Sequence, residues 1–219
     1  MGGVAFALLL AAASSSPEQV LADVRATYLK AGDLKADFTQ VYVDKLRGKK
    51  RKESGKLWAT ADGRVRWSYL QPVRKDFVYD GKNAYFYEPD NAQVMVFEHF
   101  RDSPLSNALK FLWGQGDLKA TFDVNPCANN CDMGEKGDLV VELWPKENIP
   151  TVDHSLLIVN PKNHRVRMLV VFDPLGNRTE YHFDNIEFGA DIPDKKFNFV
   201  VPKGVSILRS TNANTPKPK

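Results

Sequence analysis

Few residues in this sequence stand at spacings that could do chemistry. The four histidines, His99, His154, His164 and His182, are scattered, and none falls at a metal-ligand spacing. Gly114-Gln115-Gly116 opens like a dinucleotide fingerprint, but Asp117-Leu118-Lys119 follows, so the third glycine is missing. That run also follows a predicted helix instead of a strand. Neither a Gly-x-Ser-x-Gly elbow nor a His-Glu-x-x-His pair occurs. The residues call for no metal and no cofactor, and the chain reads as a non-enzyme.

Two features remain. Cys127 and Cys131 flank Ala128-Asn129-Asn130 in a predicted loop after Asn125-Pro126. In an oxidising compartment they are expected to form a local disulfide, a short ring worth about 2 kcal/mol in the chain-entropy model. A redox or metal pair would want a neighbouring His or a second Cys pair, which the sequence does not supply. Lys45, Arg47, Lys49, Lys50, Arg51 and Lys52 form a dense basic cluster between two predicted strands. It reads either as a solvated hairpin loop or as a docking surface for anionic lipid headgroups or an acidic partner.

The elements that carry these residues follow from composition and period. With 43% hydrophobic and 11% aromatic residues, the 219-residue chain has enough apolar material for a sizeable core, which excludes a disordered or coiled-coil class. A mean hydropathy of −0.37 excludes a polytopic membrane protein. Met1 to Ala13 carries no charge, is rich in Leu and Ala, and ends in Ala11-Ala12-Ala13, the pattern of a secretory signal. No Cys follows it to receive acyl groups, so the mature protein is expected free in solution and monomeric.

A helix is expected over 17–31. Ser16 caps it, Pro17 takes the first position, Gln19 completes a capping box, and Val20, Val24 and Tyr28 form one face. From Leu34 onward the period becomes 2. Val65, Trp67 and Tyr69 alternate with Arg64, Arg66 and Ser68; Val166, Met168, Val170 and Phe172 alternate along another run; Tyr181 and Phe183 alternate with His182 and Asp184. Asp80-Gly81, Pro89-Asp90-Asn91, Asn160-Pro161 and Asp173-Pro174-Leu175-Gly176-Asn177 separate the runs as turns. The spacing implies a mainly β fold with few helices: an antiparallel meander of about eleven strands, the last near 197–201, curved into a sheet or barrel. One insertion breaks it, a helix capped by Ser103 with Leu105, Ala108, Leu109 and Leu112 on one face. That helix must cover the sheet as a plug or a lid. The organisation is therefore a signal over 1–13, one domain over 14–210, and a disordered tail over 211–219.

Trp58, Trp67, Phe77, Tyr79, Tyr85, Phe86, Tyr87, Phe97 and Phe100 crowd into about forty residues. A sheet bent around so many bulky groups makes an apolar ligand cavity credible.

The order and spacing of several short motifs resemble the LolA family of periplasmic lipoprotein carriers. The resemblance runs through Phe38-x-Gln40, Gly55-x-Leu57-Trp58, Arg66-Trp67-Ser68-Tyr69-x-x-Pro72, Tyr87-x-Pro89, Asp173-x-x-Gly176-Asn177-x-Thr179, Phe183-x-Asn185 and Phe197-x-Phe199-x-x-Pro202-x-Gly204-Val205. It implies an unclosed β-barrel with a helical lid over a hydrophobic concave face. It also implies acylated lipoproteins as cargo, an inner-membrane ABC transporter as donor and an outer-membrane acceptor. Parity places Val65, Trp67 and Tyr69 on the concave side, with Phe77, Tyr85, Phe38 and Trp58 added, and Leu105, Leu109 and Leu112 on the lid. Family members commonly have an Arg-Pro pair, whose Arg helps to hold the lid by hydrogen bonds, where this chain has Ala61-Asp62, with Arg64 nearby. The alternative within the same fold is a periplasmic sensor of lipoproteins that binds a regulatory partner.

Overall fold

The computed structural model describes residues 15–100 and 118–210. The expected signal, lid helix and tail lie outside these residues. Helix α1 spans Pro17–Ala31, starting where Ser16 Oγ accepts from the Gln19 N–H at 3.2 Å and ending at Gly32, whose φ is +72°. Only half of the expected capping box forms: the Gln19 side chain donates forward to Asp23 at 2.9 Å instead of back to Ser16.

Among the described residues, twelve strands make one sheet. They are β1 (Leu34–Val43), β2 (Lys50–Ala59), β3 (Val65–Gln71), β4 (Lys75–Tyr79), β5 (Ala84–Glu88), β6 (Gln93–Phe97), β7 (Phe122–Pro126), β8 (Leu139–Pro145), β9 (His154–Val159), β10 (Val166–Phe172), β11 (Arg178–Phe188) and β12 (Ser206–Ser210). A single helical turn, α2 (Leu118–Thr121), precedes β7. The sheet order is β12-β6-β5-β4-β3-β2-β1-β11-β10-β9-β8-β7. Two antiparallel meanders, β1–β6 and β7–β11, thus join where β1 pairs with β11. The last strand is β12 rather than the 197–201 run, and it pairs parallel with β6. Phe197 is instead used as a buried plug, and Pro202 brings no N–H to a ladder.

The sheet is strongly curved. β3 and β11 are separated by β2 and β1, which in a flat sheet would hold them about 14 Å apart. Yet the Trp67 and Tyr181 rings meet at 5.7 Å between centroids, so side chains on this face converge. This inner, concave face carries the main core, and α1 lies on it through Val20, Leu21, Val24 and Tyr28.

Bulges decide which residues join that face. In β11, Asn185 takes a left-handed φ of +50° and its side chain donates to Asp37 at 2.8 Å, where the β1–β11 register slips. The slip brings Ile186 and Phe188 to the same face as Tyr181 and Phe183. A second slip separates Val166, which points inward, from Met168 and Val170, which point outward. The expected alternation of Val166 with Met168 on one face is broken there.

Both faces of β9 are buried, which explains its unbroken run Leu156-Leu157-Ile158-Val159. Outside it lies the loop closed by the Cys127–Cys131 disulfide (Cα–Cα 5.7 Å), which brings Cys127 and Met133 against Leu156, Ile158, Met168 and Val170. The rest of the outer face is crossed by residues 190–204, where Ala190, Ile192 and Phe197 pack with Trp58.

Candidate functional site

The inner wall is aromatic because register stacks large side chains across neighbouring strands. Trp67 stands opposite Leu57 on one side and Phe77 on the other, and Phe77 stands opposite Phe86. Phe38, two strands away on β1, meets Trp67 at 5.3 Å and Tyr69 at 4.9 Å, both edge to face. Gly55 makes this approach possible. A Cβ there would stand 1.9 Å from the Ser68 carbonyl oxygen and 2.9 Å from Phe38 Cε1, so only glycine fits beneath the ring. From β11, Tyr181 and Phe183 close on Trp67 at 5.7 and 6.0 Å. Phe100 lies against Phe77, Tyr79 and Phe97 beyond the last antiparallel strand of this half.

Polar groups enter the wall at one end. The Tyr69 hydroxyl donates to Gln40 Oε1 at 2.6 Å, and Lys75 Nζ bonds both Glu53 carboxylate oxygens at 2.8 and 2.9 Å while standing 4.3 Å over the Tyr69 ring. Burial, reinforced by the nearby Glu53 charge, pushes the Tyr181 hydroxyl up to about 12 and the Tyr69 hydroxyl in the same direction. At the other end Tyr28 Oη accepts from the Val166 N–H at 3.1 Å, and burial raises its pKa to about 12.

One buried donor is unmatched among the described residues. Trp67 is 8% exposed and its indole Nε1–H has no hydrogen-bond partner among them. A buried donor without a partner costs about 1–3 kcal/mol. Among the described residues a cavity of about 20 Å³, bounded by Tyr28, Leu34, Ala36, Leu57, Val166, Phe183 and Ile186, has room for roughly one water molecule.

The expected lining residues divide between the two faces. Phe38, Val65, Trp67, Tyr69 and Phe77 come together on the inner wall. Trp58 and Tyr85 do not. Trp58 lies on the outer face against Phe197, with Lys196 Nζ 4.0 Å over its ring. Tyr85 also points outward, stacks on Phe199 at 5.1 Å and bonds Asp80 at 3.1 Å. The cause is the 190–204 segment, which gives the outer face a second need for aromatic side chains. Leu105, Leu109 and Leu112 lie outside the described residues. Phe86, Met95, Phe100, Tyr181 and Phe183 also belong to the wall, beyond the residues expected there. For Phe86 the sequence does hold a signal, since strict parity from Phe77 through a tight Asp80-Gly81 turn selects Phe86 over Tyr85.

Arg64 bonds Asp62 and Asp194, the latter at 2.8 Å, and covers the Phe197 ring at 5.1 Å, all on the outer side. Among the described residues no group of three or more His, Cys, Asp or Glu is placed to hold a metal, and no helix is long and apolar enough to cross a membrane.

Residues 30–200 match the family model described as outer membrane lipoprotein carrier protein LolA. A protein named outer-membrane lipoprotein carrier protein from Chromobacterium violaceum is 29% identical over 206 residues, covering 92% of this chain and 94% of that one. A protein of the same name from Nitrosospira multiformis is 29% identical over 180 residues, 81% of this chain and 83% of that one. In fold, the chain is similar to an uncharacterized conserved protein from Thermus thermophilus, with a TM-score of 0.55 at 10% identity over 88% of this chain and 98% of that one.

Proposed function

The chain belongs to the LolA family of outer membrane lipoprotein carrier proteins, and from that premise we propose that it shelters the acyl chains of lipoproteins against its inner wall. The observation that carries this reading is the aromatic wall that Phe38, Trp67, Phe77, Tyr181 and Phe183 build on the inner face. Each methylene brought out of water is worth about 0.8 kcal/mol, so acyl chains cannot cross an aqueous compartment exposed. Phe38, Val65, Trp67, Tyr69 and Phe77 supply the apolar contact. The Trp67 N–H donates to an acyl carbonyl, and the end marked by Gln40, Glu53 and Lys75 faces the polar part of the cargo.

The closed state holds the wall in its own side chains. Loading then exchanges internal contacts, including those of α1, for contacts with acyl chains, and release reverses the exchange. That near balance suits a carrier, which must give up what it binds. The donor is a releasing transporter in the inner membrane and the recipient an acceptor at the outer membrane, with the carrier monomeric in the periplasm between them. The protein acts by shelter and not by catalysis.

Native mass spectrometry of the protein purified from periplasm without detergent tests the proposal. Bound acylated lipoprotein, and uptake of lipoprotein released from inner-membrane vesicles, are the expected results. Protein that is empty and takes up none would leave the wall as a core and favour the sensor.

A further inference from the structure

Three hairpin turns lie side by side at one end of the sheet, and each exposes an apolar residue. The β1–β2 turn carries Leu46, which is 92% exposed. The β10–β11 turn carries Leu175, 82% exposed, and the β3–β4 turn carries Val73, 48% exposed. Register places all three at the same end. Val43 at the close of β1 stands opposite both Lys50 and Arg178, while Gln71 at the close of β3 stands opposite Ser54, which sets the third turn back by four residues of β2.

The first two turns are tied together. The Lys45 N–H donates to Asn177 Oδ1 at 3.0 Å. The Lys45 side chain lies over Gly176, where a Cβ would come within 2.8 Å of its Cδ. Asp173 is consumed inside its own turn, accepting from the Leu175 and Asn177 backbone N–H groups at 2.9 Å each. Leu46 and Leu175 are therefore held outward by ordered backbone, each at the apex of its turn.

Cations surround them. Six Lys and Arg residues stand between Lys45 and Lys52, flanked by the carboxylates of Asp44 and Glu53, in a chain whose formal net charge is only +3. The rest of the molecule is thus net negative, and positive charge gathers at this rim. Lys45, Arg47, Lys49, Lys50 and Lys52 are exposed, as is Arg74 on the third turn. Leu46 and Leu175 belong to no core cluster of the described residues. Ringed by cations, they match a surface that offers anionic headgroups above an apolar layer. An acidic protein face would match the cations but give the leucines nothing to enter.

We propose that this rim docks on the surface of an anionic phospholipid bilayer, with Leu46 and Leu175 dipping below the headgroups and the lysines at headgroup level. The inner wall ends at the same rim, since Gln40 lies three residues before Val43 on β1. Docking so oriented sets the polar end of the wall toward the membrane. This inference concerns the surface of the protein and stands apart from the carrier reading.

Flotation of the mature protein with vesicles tests it, using phosphatidylglycerol with phosphatidylethanolamine on one side and phosphatidylcholine alone on the other. Binding to the anionic vesicles is expected, weakening with salt and absent on phosphatidylcholine. The double variant Leu46→Ser/Leu175→Ser is expected to bind about tenfold more weakly, as two lost apolar insertions require. Lys49→Gln/Lys50→Gln/Lys52→Gln should weaken binding by about tenfold or more. All these positions are exposed, so unchanged circular dichroism and thermal unfolding are expected in both variants. Failure of the parent protein to float with anionic vesicles would overturn the proposal. So would a leucine variant that floats as well as the parent, which would leave an acidic protein as the partner of the lysines. The vesicles contain no lipoprotein, so either failure leaves the carrier reading as it was.

Discussion

Trp58 and Trp67 are nine residues apart, on adjacent strands of one sheet, and the chain treats them oppositely. On the outer face Trp58 is covered by Phe197 and by the Lys196 ammonium, and neighbouring Arg66 is matched by Asp76 at 2.9 Å and the Lys196 carbonyl at 3.1 Å. On the inner face Trp67 is ringed by Phe38, Tyr181 and Phe183, and its N–H has no partner among the described residues. The outer face is covered by segments of the chain itself: the 190–204 crossing on one half and the disulfide loop on the other. On the carrier reading, that difference is the one between a core and a binding surface built of the same residue types.

The sharpest way to break this comparison is to truncate one buried ring on each face. Phe38→Ala and Phe197→Ala should each lose about 3–5 kcal/mol in urea unfolding, because both rings are fully buried. Only Phe38→Ala should also weaken binding of a fluorescent acyl probe, and equal loss of binding in both would erase the distinction between faces. Gly55→Ala should cost about 1–3 kcal/mol or more, measured by thermal unfolding, since its Cβ collides with the Ser68 carbonyl beneath Phe38. Full stability in that variant would mean that the ring does not rest on the β2 backbone. Reducing the Cys127–Cys131 bond should cost about 2 kcal/mol and leave acyl-probe binding unchanged, because the loop packs on the outer face.

A further effect is graded with pH. Burial holds Tyr28 and Tyr181 protonated to about 12, whereas in the unfolded chain they ionise near 10. The stability linked to them is complete below pH 10 and is lost as pH rises toward 12, because only the unfolded state releases those protons. Phenolate absorbance followed through alkaline unfolding checks this. Tyr181→Phe should flatten the fall in stability across that window, and an unaltered fall would show that other groups cause it.

Much of the fold was legible because local signals and tertiary structure agree. The α1 boundaries follow from Ser16, Pro17 and Gly32, and the faces of Val65, Trp67 and Tyr69 follow from strict alternation over the part of β3 that precedes its register slip at Leu70. Legibility ended where long-range pairing decides. Nothing local announces that β1 pairs with β11 some 140 residues later, so Tyr181 and Phe183 carried a period but no address. The slips at Asn185 and after Val166 reversed parity within single strands. Trp58 and Tyr85 escape parity reasoning for another reason: nothing in the sequence reveals that residues 190–204 return across the outer face, where aromatic rings are also required.

The central claim, that acyl chains meet the inner wall and only that wall, is tested most directly on β5, where neighbouring side chains point to opposite faces. A photoreactive benzophenone side chain placed at Phe86 and, separately, at Tyr85 would be irradiated in protein loaded with acylated lipoprotein. The account predicts acyl crosslinks from position 86 and none from position 85. Crosslinks from position 85 alone, or equally from both, would contradict it.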